Sequence, residues 1–393
     1  LVKCPSTFHI WSMIRIISCI ILLCYTLLPL SAQIQLLNDE FDDSRSVVNW
    51  HNINVVEQWG IAQLETYSID SAVQDKLQMI PRTASWFGGW RGPLLYKEVS
   101  GDFIFTTKVD IIGRDAAIPE DDFNLGGVMV RHVRDYPDGA LDPVTGWIPA
   151  DNNYLFLSIG AARNNDGRCD PDPSDCFAPH FEVKSTINGN STLDIQNIDT
   201  TSTQIRVARI GDVFIVLYRL ETDQTWVVHR RFNRSDFPDT IQVGFVTYTD
   251  WAKVSSYAPA AHNRTQIEGD ECNSGPPCDP DVIGEFDFAR FDSLVVPMGI
   301  GSDFNNPSDV TDAELLSFLD YSSAAFCPQV LRVDSPVPDD TFQKYAASQE
   351  VILENVIGVN SIVHVSAPDS VRFLSGFQNV NSSLIEVDLE GCN

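Results

Sequence analysis

The feature that most constrains this chain is a two-residue hydrophobic period recurring from Gln35 to Pro297. Short runs alternate apolar and polar residues, and clusters of Gly, Pro, Asn and Asp separate them. Side chains along a strand point alternately to opposite faces, so such runs bury one face of a sheet. The pattern predicts strands near 60–65, 76–80, 94–99, 102–112, 126–133, 153–160, 180–187, 204–210, 213–220, 225–232, 241–248 and 284–296. The clearest hairpin is 206–218, where Gly211-Asp212 supplies a two-residue turn of the positive-φ type. Heptad and alanine-rich patterns are missing, and no room is left for crossover helices. The expectation is an antiparallel all-β sandwich or barrel.

Trp86 to Gly113 joins two chemistries in one stretch. Trp86, Trp90 and Arg91 stand among Gly88 and Gly89, a candidate ligand surface. An apolar strand, a Ser100-Gly101-Asp102 turn and a long alternating strand follow as scaffold. Flat aromatic faces stack on sugar rings, and arginines bond hydroxyls. Trp86, Trp90, Arg91, Arg131, His132 and Trp147 are therefore the candidate ligand-binding residues. Core packing is the competing role for the tryptophans. Arg131 stands between apolar residues of a predicted strand, where a charge needs a partner or a cleft.

The chain has 393 residues, enough for two domains or for one large domain with an accessory one. Its 54 acidic against 26 basic residues give a net charge of −28. Such a surface repels phosphate backbones, which excludes nucleic acid as a partner, and it disfavours docking on anionic lipid. Met13-Ile14-Arg15, an apolar run over 16–30 and Leu30-Ser31-Ala32 read as a secretory signal peptide over 13–32. The apolar run is too short for a membrane anchor, and no second segment of membrane length follows. The mature chain is expected to be secreted, extracellular or at the outer cell surface. Cys4, Cys19 and Cys24 lie in or before this leader. Spacing favours disulfides Cys169–Cys176, Cys272–Cys278 and Cys327–Cys392, although six cysteines allow fifteen pairings. Zinc is the competing use, with no CxxC spacing to support it.

Long insertions over 134–152, 161–179 and 249–283 interrupt the strands, and loops of such length are often functional. The second carries Asp166, Asp170, Asp172 and Asp175, an oxygen-rich cluster that suits calcium or serves as a solvated turn. Residues 298–326 read as a linker with one short helix, opened by the capping box Thr311-Asp312-Ala313-Glu314. Residues 327–393 differ in kind. Short apolar bursts at 351–353, 361–365, 371–374 and 384–389 suggest stacked coils rather than a hairpin sheet.

The segments Trp90–Phe103, Leu125–Arg131, Phe181–Thr186 and Ile205–Arg209 resemble the concanavalin A-like lectin/glucanase superfamily, and within it the bacterial DUF1349 type of domain. The resemblance covers roughly residues 36–297 and implies a jelly-roll β-sandwich. The superfamily holds sugar-binding modules, glycosidases and unassigned surface proteins, so it implies carbohydrate as the partner without fixing an activity. Asp369–Phe377 and Cys392 make 327–393 resemble the three-coathanger stack of exported Bacteroidota surface proteins. Glu285 and Asp287 share one strand face, near the spacing that a retaining glycosidase needs. The laminarinase-type motif would continue to a second glutamate, where this chain has Ala289 or Arg290. The expected function is non-catalytic glycan binding on the concave sheet. A glycoside hydrolase or polysaccharide lyase, and an adhesive protein without a small ligand, are the alternatives.

Overall fold

The computed structural model describes residues 34–59, 61–114, 116–119, 123–132, 152–163, 177–249, 251–267 and 281–392. Residues 13–32, read from the sequence as a signal peptide, Trp147, the Asp166–Asp175 cluster and Cys169, Cys176, Cys272 and Cys278 lie outside the described residues.

The strands of the larger part begin with β1 (His51–Asn52), β2 (Leu64–Ile69), β3 (Leu77–Pro81), β4 (Leu95–Ser100), β5 (Phe103–Ile112), β6 (Asn124–His132) and β7 (Tyr154–Arg163). They continue with β8 (Phe177–Ile187), β9 (Asn190–Asn197), β10 (Ser202–Ile210), β11 (Val213–Arg219), β12 (Val227–Asn233), β13 (Thr240–Tyr248), β14 (Ile283–Phe286) and β15 (Arg290–Asp292). One sheet runs β1-β4-β13-β6-β7-β8-β9, and the other runs β12-β11-β10-β5-β14-β3-β2 with β15 also on β5. Their pairings are antiparallel. The chain is thus all-β, a two-sheet antiparallel sandwich followed by a small β-rich unit, as the sequence led one to expect.

Each run read as a strand overlaps one, although 60–65 shares only Leu64 and Glu65 with β2, and the run 284–296 splits into β14 and β15. The hairpin closes as expected, with Ile210 opposite Val213 and Gly211 at φ 56°. β9 was missed because Asn190–Asn197 is a polar edge strand with little apolar alternation. Alternate residues of both sheets meet in the main core, among them Leu95, Val128, Leu157 and Phe245 from the first and Phe105, Val109, Val207 and Phe286 from the second.

The first sheet is apolar on its other face too. Tyr96, Leu125, Met129, Tyr154, Phe156, Val246 and Tyr248 lie under Ile53, Trp59, Trp86 and Leu94. Strands such as Leu125–Val130 and Tyr154–Ile159 accordingly read as almost unbroken apolar runs. The outer face of the second sheet is covered by the helix Asp312–Leu319. Its capping box forms as expected, and Leu315 and Leu319 pack on Ile104, Ile215, Leu217 and Trp226. Arg206 locks this contact. Its guanidinium lies 4.2 Å from both the Trp226 and Tyr321 ring centroids and donates to the Leu319 carbonyl.

The C-terminal unit is built of parallel strands: β16 (Val330–Val333), β17 (Phe342–Ala346), β18 (Glu350–Leu353), β19 (Val356–Ile357), β20 (Ile362–Ser366), β21 (Ser370–Phe373), β22 (Gln378–Asn379) and β23 (Leu384–Asp388). They stack as β16-β18-β21, β17-β20-β23 and β19-β22. Val330 faces Glu350, which faces Ser370, so each coil lays its side chains above the last. Asp340 and Asn360 occupy equivalent corners, both at φ 56°, and the Asn360 amide donates to Asp340 Oδ1 at 3.0 Å. Cys327 and Cys392 are disulfide-bonded. Asn49 exchanges two hydrogen bonds with the Phe342 backbone, and Lys344 pairs with Asp42 at 2.5 Å. Among the described residues, no helix is long and apolar enough to cross a membrane.

Candidate functional site

The aromatic stretch singled out in the sequence becomes a tight turn laid across the first sheet. The Trp90 amide donates to the Phe87 carbonyl at 2.8 Å, and Gly88 adopts φ 52°. Only a residue tolerant of that region turns the chain so sharply. Gly92 allows a close approach, because a Cβ there would lie 2.8 Å from the Trp86 ring. The turn is pinned at successive carbonyls. Lys184 Nζ donates to Trp86 O at 2.8 Å, the Asn152 amide to Gly88 O at 2.9 Å, and the Asn263 amide to Gly89 O at 2.9 Å. Phe87 and Trp90 are left half-buried, and both meet half-buried Trp251 edge-on at 5.0 and 5.3 Å between ring centroids.

Beside these rings a pocket opens between Ser85, Phe87, Phe123, Leu193, Tyr248 and Trp251, with Glu182 and Lys184 also lining it. Lys184 and Glu182 are next-but-one neighbours on β8, so the strand places them on one face. Glu182 is 0% exposed. Its Oε1 lies 3.2 Å from Lys184 Nζ, and its Oε2 lies 3.8 Å from His180 Nε2. The ammonium, however, is aimed at Trp86 O and at Tyr248 Oη, 2.5 Å away. Neither Glu182 oxygen receives a well-directed hydrogen bond.

Burial opposes ionisation of Glu182, but the Lys184 and His180 charges outweigh it and hold the carboxyl below its usual range. Burial lowers the Lys184 ammonium, against the pull of Glu182. Burial pushes the Tyr248 phenol well up, with the Glu182 charge adding to it. Phe123 stands at φ 56°, a conformation costly for a bulky side chain. Leu193 and Ile195 of β9 continue the wall outward, 42% and 48% exposed.

The residues proposed from the sequence do not form one cleft. Trp86 is 0% exposed and its indole donates to Pro93 O, so its ring is core between Trp59 and Tyr154. Arg91 is buried over the Trp59 ring at 4.0 Å, and its amide bonds Asn263. Arg131 finds its partner in Glu57 at 2.7 Å and is 0% exposed, a buried ion pair rather than a cleft residue. His132 follows Arg131 on β6 and therefore points to the other face, near Phe237. Of the described candidates, Trp90 alone stands at the rim, with its indole held by Tyr257 O at 3.0 Å.

Glu285 lies on β14 of the second sheet, and Asp287 stands just beyond that strand's end. Lys76 pairs with both, at 2.9 and 3.3 Å, and Lys108 Nζ lies 3.6 Å from Asp287. They serve a surface ion-pair network, not paired acid-base chemistry. Glu182, Lys184, Phe87 and Phe123 were not recognised in the sequence. Their signal was His180-Phe-Glu-Val-Lys184, with charges on every second residue of an otherwise apolar strand.

No protein-family model and no curated protein matches the chain. Among solved structures, a functionally unknown protein from Saccharomyces cerevisiae matches with 14% identity and a TM-score of 0.37, over 65% of this chain and 100% of that one. A lectin I-B4 from Griffonia simplicifolia matches with 12% identity and a TM-score of 0.36, over 66% and 99%. A GH43 protein from Bacillus licheniformis matches with 10% identity and a TM-score of 0.40, over 66% of this chain and 39% of its own length. None of these assigns a family to the chain.

Proposed function

We propose that this chain is a secreted or cell-surface carbohydrate-binding protein that holds glycan in the groove between the Phe87–Trp90 turn, Trp251 and the edge strand β9. The observation that carries the reading is the group of three half-buried rings, Phe87, Trp90 and Trp251, beside an apolar pocket under which Glu182 and Lys184 are buried. Ring faces next to a few fixed polar groups are the usual means of gripping a sugar. Recognition is favoured over hydrolysis because Glu182 is the one carboxylate lining this pocket among the described residues. A two-carboxylate mechanism needs a second one about 5 Å away. The apolar leader-like run over 16–30 supports export.

Trp251→Ala tests the site. Affinity for a glycan found on an array should fall about tenfold, in keeping with loss of a stacking ring. The melting temperature should stay close to that of the wild type, because Trp251 is half-exposed. Unchanged affinity would place the site elsewhere.

A further inference from the structure

The coil stack ends open. Its inward-facing residues form columns that run from coil to coil, so that Leu353 of β18 lies beneath Phe373 of β21, and Val365 of β20 beneath Val387 of β23. Leu353 and Val365 are 0% exposed, whereas Phe373 and Val387 are 47% and 49% exposed. One step along each column takes a core position to the surface, because among the described residues no further coil covers it. The first coil shows the opposite condition. Its inward residues Leu331, Val333 and Tyr345 are buried, with Leu36 and Phe326 packed on the same core. The backbone at the last coil is open as well, since β21 and β23 end their sheets and turn one edge outward. A stacked array needs a polar terminal face to stay alone in water, and an unpaired strand edge is a template for another strand.

This end is complementary to itself. A two-fold axis across it reverses the sense in which the coil winds, so β21 of one copy runs antiparallel beside β23 of the other. β21 has four residues and β23 has five, so β21 fits within β23 in two registers. Opposed residues of antiparallel strands share a face, and only one of those registers sets inward residues against inward ones. In that register Val371 meets Val387, Phe373 meets Ile385 and, on the outer face, Arg372 meets Glu386. The Arg372 and Glu386 side chains are half-exposed, so each can take a second partner beside Glu350 and Arg45 of its own chain. Head-to-tail stacking is blocked because the first coil is closed, so the pairing is isologous and stops at two copies. We propose that the open end of the coil stack is a homodimer interface, closed by two reciprocal β21–β23 ladders.

The experiment is sedimentation velocity on the full chain from about 1 to 100 μM, a range that brackets micromolar dissociation constants. Salt at about 0.15 M screens the repulsion between two chains of net charge −28. The wild type should pass from monomer to dimer across that range. Arg372→Glu sets two glutamates opposite each other in both ladders and should weaken the dimer about tenfold or more. Glu386→Arg should do the same with two arginines. The two changes combined restore opposite charges across the interface and should return the dissociation constant to within about threefold of the wild type. Val387→Lys places an inward charge on the open end and should leave a monomer. In the wild-type dimer, amides of 370–373 and 384–388 should gain hydrogen-exchange protection as concentration rises.

A wild type that stays monomeric at the top of the range would overturn the proposal and leave the open end to a strand of another protein. So would a dimer that either single charge reversal leaves unchanged, or one that the folded double variant fails to restore. Should Val387→Lys fail to fold, the charge reversals decide alone, because they lie on the outer face of the coil. None of these outcomes depends on the glycan site.

Discussion

Buried charge at single residues shapes the region around the pocket. The Arg131–Glu57 pair is sealed beneath the aromatic turn, and removing one partner of such a pair typically costs about 3–5 kcal/mol. His262 is a second case, buried beside the turn's anchor Asn263. Burial lowers its pKa below 6.5, the Asn263 hydrogen bond opposes this, and nearby Arg91 adds to the lowering. The folded state therefore holds it neutral where the unfolded chain would take up a proton. Stability should fall as pH drops below about 6.5, and His262→Asn should flatten that fall in thermal melts between about pH 7 and 5.5. His229 has the same sign, so a residual slope is expected. An unchanged slope in the variant would remove His262 from the account. Arg131 shows what the sequence could and could not tell. A charge inside an apolar strand announces the need for a partner, but Glu57 lies over seventy residues away and only folding brings it there.

Elements were legible in proportion to how regularly they bury one face. The long strands β5, β10, β11 and β13 carried their period openly, and the hairpin turn carried its glycine. The helix Asp312–Leu319 was legible from its cap, because Thr311 and Glu314 satisfy each other's orphan groups locally. Thr311→Ala should lower stability by about 1 kcal/mol, read from denaturant midpoints at constant m. A change under a few tenths would mean that packing of Leu315 and Leu319 alone holds the helix. β9 was illegible for the opposite reason. Its ladder to β8 is backbone hydrogen bonding, which any sequence can make, and its side chains are mostly exposed. That unrecognised strand supplies Leu193, one wall of the candidate pocket.

At the scale of the whole molecule, the sandwich and the coil stack earn their stability differently. The sandwich has a deep core between two sheets and a second one under the aromatic turn. The coil stack is small, and its last coil leaves Phe373, Leu384, Val387 and Leu389 exposed. The Cys327–Cys392 bond closes a separation of 65 residues around it. Chain entropy assigns such a loop about 4 kcal/mol, so reduction should lower the melting of the coil stack while the sandwich transition keeps its midpoint. Coincident shifts of both transitions would show instead that the two parts unfold as one. The sequence by itself determined the β period, the hairpin, the capped helix and the stacked coils, and it favoured the pairing of Cys327 with Cys392 among fifteen possibilities. Each of these rests on local spacing, on repetition along the chain or on cysteine position. Only the tertiary structure decided which aromatic rings face solvent and which charges find partners. Those outcomes depend on what the far side of a strand meets. Trp86 and Trp90 are four residues apart in one turn, yet the sheet beneath buries the first and the groove keeps the second at its rim.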